Sequence, residues 1–158
     1  MTYLAFNVNG TPGAQGSKRH VGRGVMVESS KKVKPWRTDV KTAAEEAISA
    51  VESFDPWEPF SGPVHVTIVF RFRRPRSHYR TGRNAHLLRD GAPALPVGRN
   101  LGDIDKLARS TFDALTAASV IADDSLIAAA ALDKKWCDDT EVPGAFIYVT
   151  PLSQERAA

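Results

Sequence analysis

Hydrophobic and polar residues alternate along two stretches of the chain, residues 3–8 and residues 64–72. A period of two places successive side chains on opposite faces of a strand, so both stretches are predicted to be half-buried β-strands. Residues 25–28, 126–136 and 145–150 are also predicted to be strands, although the alanines of the second weaken its pattern.

Two other stretches repeat their apolar residues at steps of three and four, the pattern of an amphipathic helix. The first covers residues 35–53, where Pro35 suits the first helical turn and Trp36 is expected to be a core or dimer anchor. The second covers residues 103–118. This order predicts an α+β fold: one domain over residues 1–158, with two main helices packed on a mixed sheet. The tail from about residue 152 is expected to fray.

Composition narrows the setting in which the protein works. Cys137 is the only cysteine, so neither a disulfide framework nor a cysteine-based zinc site is expected. The first residues lack the basic lead and apolar run of a signal peptide, and no stretch is long and apolar enough to span a membrane. We therefore expect a cytoplasmic protein.

The net charge of +3 is small, but its distribution is uneven. Of 21 Lys and Arg residues, eight lie within residues 18–41 and eight within residues 71–99, whereas ten of the 18 acids follow residue 102. Local fields of this kind steer an anionic partner, which favours nucleic acid over the alternative of a merely basic, solvated surface.

Both basic segments are predicted to be loops. Residues 9–24 contain five glycines and a proline, which predicts no regular structure, and residues 73–99 form a long loop that we expect to be mobile without DNA. For the first segment a plain mobile loop is an equal alternative. The side chains predicted to bind DNA phosphates are Lys18, Arg19, Arg23, Arg74, Arg76, Arg80 and Arg83.

Acidic residues lie at both ends of the second helix: Asp103 and Asp105 open it, and Asp123 and Asp124 follow it. Clustered carboxylates repel one another and suit a hard divalent cation. Helix physics offers a second interpretation. Asp103 could simply cap the helix, while Arg109 could form ordinary i,i+4 salt bridges with the aspartates on either side of it in the helix.

The run from Asp103 to Asp124 resembles the RusA family of Holliday-junction resolvases. That family has the pattern D-x-D-N-L, a basic residue, F-D-A-L and then D-D, and about 24 residues match it without a gap. Two departures are visible. Lys106 stands where asparagine is usual, and the loop at about residues 73–99 looks longer than in compact members.

The resemblance implies a homodimeric, Mg²⁺-dependent endonuclease, with Mn²⁺ as a substitute, that cuts four-way DNA junctions. It implies that Asp103, Asp105 and Asp124 bind the metal, and that Arg109 stands where the family has a functionally important lysine. Two other functions remain open at this stage: a DNA-binding accessory without catalysis, and a general metal-dependent nuclease for flaps or single strands.

Chain length adds a constraint on these three acids. A helix over residues 103–118 is about 24 Å long at 1.5 Å per residue. The six residues from Ala118 to Asp124 span at most about 20 Å. Either the helix ends early, or Asp124 completes the site of a partner subunit. We favour the shared site, which would make dimerisation a condition for metal binding.

Overall fold

The computed structural model describes residues 3–16, 18–28 and 30–153. Within these ranges it contains six strands and two α-helices. The strands are β1 (Leu4–Asn9), β2 (Lys18–His20), β3 (Met26–Glu28), β4 (Val64–Phe72), β5 (Ile127–Trp136) and β6 (Gly144–Pro151). The helices are α1 (Val33–Glu52) and α2 (Ile104–Ala117). The predicted α+β class is confirmed.

The main sheet has four strands in the order β1-β6-β4-β5. β4 and β5 are parallel, while β6 is antiparallel to both β1 and β4, so the sheet is mixed as predicted. A β-bulge lies at the start of the β4–β5 pairing, and beyond it Val66 pairs with Ala130. Among the described strands β5 pairs only with β4, which leaves its other side as an edge of the sheet.

The core lies between one face of this sheet and the two helices. In β1 and β4 every second residue is buried, as the alternation predicts, and Phe70 and Ile68 are fully enclosed. Trp36 is also fully buried, and its indole N–H donates to Thr111 Oγ1 at 3.0 Å. The core role expected for Trp36 is therefore confirmed, and this hydrogen bond holds α1 against α2.

The glycine-rich segment holds more regular structure than its composition predicts. β2 lies at Lys18–His20 and pairs with β3, which was predicted at residues 25–28, so the expectation of no regular structure over residues 9–24 is wrong there. The reason is a tight turn, in which Gly22, Arg23 and Gly24 all have positive φ and Val21 N–H donates to Val25 O at 3.0 Å. Glycine tolerates that backbone, so it closes a hairpin instead of preventing one.

The long basic loop is folded upon itself. Short 3₁₀ turns occur at Arg76–His78 and Gly82–Asn84, and Arg80 N–H donates to Leu87 O at 2.8 Å across an internal bridge. Its predicted mobility without DNA stays a prediction. Residues 154–158 of the tail that we expect to fray lie outside the described residues. No helix in the described part of the chain is long and apolar enough to cross a membrane.

Candidate active site

The start of α2 is held in place by the glycine-rich segment. Gly102 has φ of +83°, and a Cβ atom there would lie 2.5 Å from the Ala14 Cβ, so glycine is required for this close approach. Ser110 Oγ donates to Gly13 O at 2.6 Å, and Gln15 N–H donates to Lys106 O at 3.1 Å. These contacts fix the helix end that carries the first two acids.

Asp103 occupies the N-cap position of α2, but its side chain caps no backbone N–H group. Instead its carboxylate lies 2.9 Å from Lys106 Nζ. The hydrogen bond and charge of Lys106 lower the pKa of Asp103, so the carboxylate stays ionised. Its side chain is 64% exposed. The capping interpretation of Asp103 is therefore wrong: the carboxylate faces outward with a single lysine as partner.

The two i,i+4 salt bridges considered for Arg109 are also absent from the described part of the chain. Asp113 pairs with Arg37 of α1 instead. Asp105 and Arg109 are both exposed, and no ion pair or side-chain hydrogen bond among the described residues involves either of them. The salt bridges considered for Arg109 therefore do not form, and both Arg109 and Asp105, which lies in the first turn of α2, remain available to a ligand.

The second acidic pair divides into two roles. Asp123 accepts a hydrogen bond from Ser125 N–H at 2.9 Å and caps the 3₁₀ turn Asp124–Leu126. Hydrogen bonds from Ser125 lower the pKa of Asp123. Asp124 is exposed and has no side-chain partner among the described residues. Of this pair, Asp123 is thus the structural residue and Asp124 the available one.

One chain does not bring the three candidate metal ligands together. Within residues 3–16, 18–28 and 30–153, no group of three or more His, Cys, Asp or Glu side chains could hold a metal ion. α2 continues to Ala117, so the helix does not end early. Lys134 Nζ donates to Gly102 O at 2.8 Å, which puts the far part of β5 beside Asp103. Asp124 lies before the opposite end of β5, which begins at Ile127. At about 3.3 Å per strand residue, the start of β5 is roughly 20 Å from Lys134.

Two clefts of different character meet at Asp103. One has a volume of about 370 Å³ and is lined by four cations: Lys31, Lys32, Arg99 and Lys106. The other, of about 480 Å³, lies on the β5 side. Its walls are mostly apolar, with charged residues beside them: Leu95, Val97, Ile104 and Leu132, together with Arg99, Asp133 and Lys134. Leu95 and Val97 are 59% and 72% exposed, so this second surface is apolar and uncovered in one chain.

The basic residues predicted to bind DNA differ in how far they are free to do so. Lys18 and Arg19 belong to β2, and their side chains lie outside the described residues. Arg23 is exposed at the hairpin tip, and Arg76 and Arg83 are exposed on the long loop.

Two arginines of the long loop also hold that loop together. Arg74 donates to Pro93 O at 2.8 Å and stacks over Trp136, and Arg80 donates to Leu88 O at 3.1 Å and pairs with Asp90. The four cations that line the basic cleft were missed as candidates. Two of them, Lys31 and Lys32, lie in a sequence region whose lysine density could have revealed them.

The comparison with protein families matches most of the chain. The family model described as Endodeoxyribonuclease RusA matches residues 9–150, a range that includes the start of α2, both clefts and Asp124. A search of the curated proteins found no match.

Proposed function

Because this chain belongs to the RusA family of endodeoxyribonucleases, we propose that it is a Mg²⁺-dependent homodimer that resolves four-way DNA junctions in recombination and repair. The family assignment carries the general activity, a Holliday-junction resolvase nuclease. The metal, the dimer and the biological process are our proposals. The observation that carries them is the start of α2, where the exposed Asp105 and Arg109 form no ion pair among the described residues and the exposed Asp103 pairs with Lys106.

The three candidate carboxylates suit a hard divalent cation, but they lie in two separate parts of the chain. Asp103, Asp105 and Asp124 offer carboxylate oxygens, the ligands that Mg²⁺ prefers. Only the first two lie at the same helix end. When bound, the metal would supply Lewis-acid stabilisation of charge on the scissile phosphate and lower the pKa of a water. Mn²⁺ prefers the same ligands and should substitute for it.

Three basic residues at the start of α2 and beside it are positioned to bind a phosphodiester or to support the acids. Arg109 lies about one and a half turns into α2 at 3.6 residues per turn. It is exposed and has no carboxylate partner among the described residues, so its guanidinium can bind a phosphate oxygen. Lys106 neutralises Asp103 until a ligand arrives, which reduces the repulsion between Asp103 and Asp105. Lys134, whose pKa is lowered by burial, holds Gly102 by its carbonyl and thereby fixes the backbone before Asp103.

The edge of the sheet offers a way to complete the site. β5 is ten residues long, and its residues Ala128–Ala131 are small and exposed. A two-fold axis perpendicular to the sheet at this alanine run would pair β5 with its own copy as antiparallel strands. The turn at Asp124–Leu126 of one chain would then lie beside Lys134 of the other. The partner's Asp124 would thereby approach Asp103.

Charge and shape both favour this pairing. With the axis at the alanines, Asp133, Lys134 and Lys135 face the uncharged stretch from Ser125 to Ile127, whereas an axis at Lys134 would place that lysine opposite its own copy. The apolar cleft beside Asp103 lies at the same strand end, where the partner's Leu126 would cover it. Edge strands with unpaired backbone groups are natural sites for pairing with a second chain.

The assay that tests the proposed function compares substrates. With Mg²⁺, the wild-type protein should cut a four-way junction much faster than a flap or a linear duplex of the same sequence, because a two-fold enzyme suits a substrate that needs two symmetric cuts. Equal cutting of all three would indicate a general nuclease. Junction binding without cutting at any Mg²⁺ or Mn²⁺ concentration would indicate a non-catalytic accessory.

The arginines of the long loop provide a second prediction. Changing Arg76 and Arg83 to Ala should weaken junction binding and reduce the slope of log Kd against log salt by about 0.9 for each phosphate that the variant no longer neutralises. The further changes Arg74→Ala and Arg80→Ala remove hydrogen bonds within the loop as well, so they should also lower the thermal stability. An unchanged salt slope in the Arg76/Arg83 variant would mean that these two arginines do not touch phosphate.

A further inference from the structure

The basic cleft beside Asp103 carries an unbalanced charge. Lys31, Lys32, Arg99 and Lys106 line it, and Asp103, at its edge, is the only acid among the described residues of its lining. That acid is already paired with Lys106. None of the ion pairs among the described residues involves Lys31, Lys32 or Arg99. Like charges gathered in a concave surface repel one another and concentrate anions from solution.

The walls of the cleft are tied together before any ligand binds. Lys32 Nζ donates to Asn100 O at 3.4 Å and so links the segment before α1 to the segment before α2. The glycine-rich segment is joined to α2 through the bonds from Gln15 N–H and Ser110 Oγ. A preorganised cationic surface loses little conformational entropy on binding, so a site built this way suits a ligand of fixed charge spacing.

We propose that this cleft holds the sugar–phosphate backbone of the DNA strand that leads to Asp103 and Asp105. The proposal rests on the proposed function and assigns the strand's path to one side of these acids. A DNA backbone supplies the closely spaced negative charges that four converging cations require. The cleft on the other side of Asp103 has mostly apolar walls, a second acid in Asp133 and only two cations, Lys134 and the shared Arg99, so it offers phosphate a less positive surface.

The residues that line the cleft also determine which part of a DNA strand it can recognise. No aromatic side chain lines it, and its apolar members, among them Pro12, Ala14 and Leu101, are small or aliphatic. Bases bound by stacking need aromatic platforms, whereas phosphates need only cations and N–H groups. The cleft therefore positions the strand without selecting its sequence, and the contacts that select the four-way junction are made elsewhere.

Metal-free binding tests this assignment separately from catalysis. In EDTA, the double variant Lys32→Gln/Arg99→Gln should bind a four-way junction and a linear duplex more weakly, by about tenfold for each cation removed near 0.1 M salt, with a smaller salt slope. The matched control Lys34→Gln/Lys41→Gln removes two lysines that do not line the cleft, on α1, and should bind as the wild type does.

The outcomes separate this proposal from the proposed function. If the cleft variant binds both DNAs as tightly as the wild type, or no more weakly than the control variant, the cleft proposal is wrong even if the protein cuts junctions. If the cleft variant loses affinity selectively, the cleft is supported even if the wild type never cuts. Circular dichroism melting of both variants verifies that each is folded, because all four side chains are on the surface.

Discussion

Asp105→Asn is expected to reduce Mg²⁺-dependent cleavage of a four-way junction by at least about 100-fold while leaving junction binding in EDTA unchanged. The carboxylate of Asp105 is exposed and forms no ion pair or side-chain hydrogen bond among the described residues, so an isosteric amide removes only its charge in the first turn of α2 and near Lys106. A bound metal contributes several kcal/mol to stabilising the transition state, and each 1.4 kcal/mol or so changes the rate tenfold. Initial rates under substrate saturation measure the effect.

A matched substitution controls for the loss of one negative charge. Asp139→Asn changes an exposed aspartate in the connection before β6, far along the chain from α2, and should cleave at the wild-type rate. If Asp105→Asn cut junctions within about threefold of the Asp139→Asn rate, the start of α2 would not be the catalytic centre. Increased cleavage by Asp105→Asn at high Mn²⁺ would be consistent with a weakened metal site.

Helices and strands with a clear hydrophobic periodicity were predictable from the sequence, because burying one face of an element requires apolar residues at regular intervals. β4 lies at the predicted residues, and α2 differs from its prediction by one residue at each end, since each buries one regular face against the same core. The start of α1 at Val33 was missed by two residues, because Pro35 is compatible with the whole first turn rather than with one position. β2 was missed because a glycine-rich turn closes a hairpin that composition alone argued against.

The site could be predicted only in part, because the spacing of charged residues along the sequence does not show which of them form ion pairs. Position suggested a cap at Asp103, which pairs with Lys106 instead, and no pattern distinguished Asp123, which does cap a turn, from Asp124. The cations of the basic cleft are far apart in sequence, Lys31 and Arg99 among them, so only the fold brings them together. At the sequence level, only the resemblance to the RusA family favoured a metal-binding role for Asp103 over a helix-capping role.

The separation of the acids, by contrast, follows from chain geometry alone. The length of α2 and the extended β5 both require Asp124 to lie far from the Asp103 of its own chain, and no three-acid group exists in the described residues. In this conformation, a site that uses all three carboxylates would therefore draw on two chains. This makes a subunit-mixing experiment decisive, because it distinguishes residues that act in one chain from residues that act across a dimer.

Asp103→Asn and Asp124→Asn should each be inactive alone but recover junction nicking when co-expressed with two different affinity tags. In a shared arrangement, the hybrid dimer has one site with both lesions and one intact site, built from the unaltered halves of the two chains. Random assembly gives half hybrids, so nicking should return to about a quarter of the wild-type rate, or to about half in hybrids purified through both tags. Because one site remains, single-strand nicks should predominate over paired cuts.

The pairing of Asp103→Asn with Asp105→Asn is the matched control for this recovery. Both lesions lie at the same end of α2, so every site of that hybrid contains one altered ligand, and nicking should not recover. If purified Asp103→Asn/Asp124→Asn hybrids were as inactive as this control, the shared site would be wrong, and each chain would have to move Asp124 across the length of β5 to meet its own Asp103. Metal binding by the hybrids, followed by Mn²⁺ electron paramagnetic resonance, should parallel nicking because the same three carboxylates govern both.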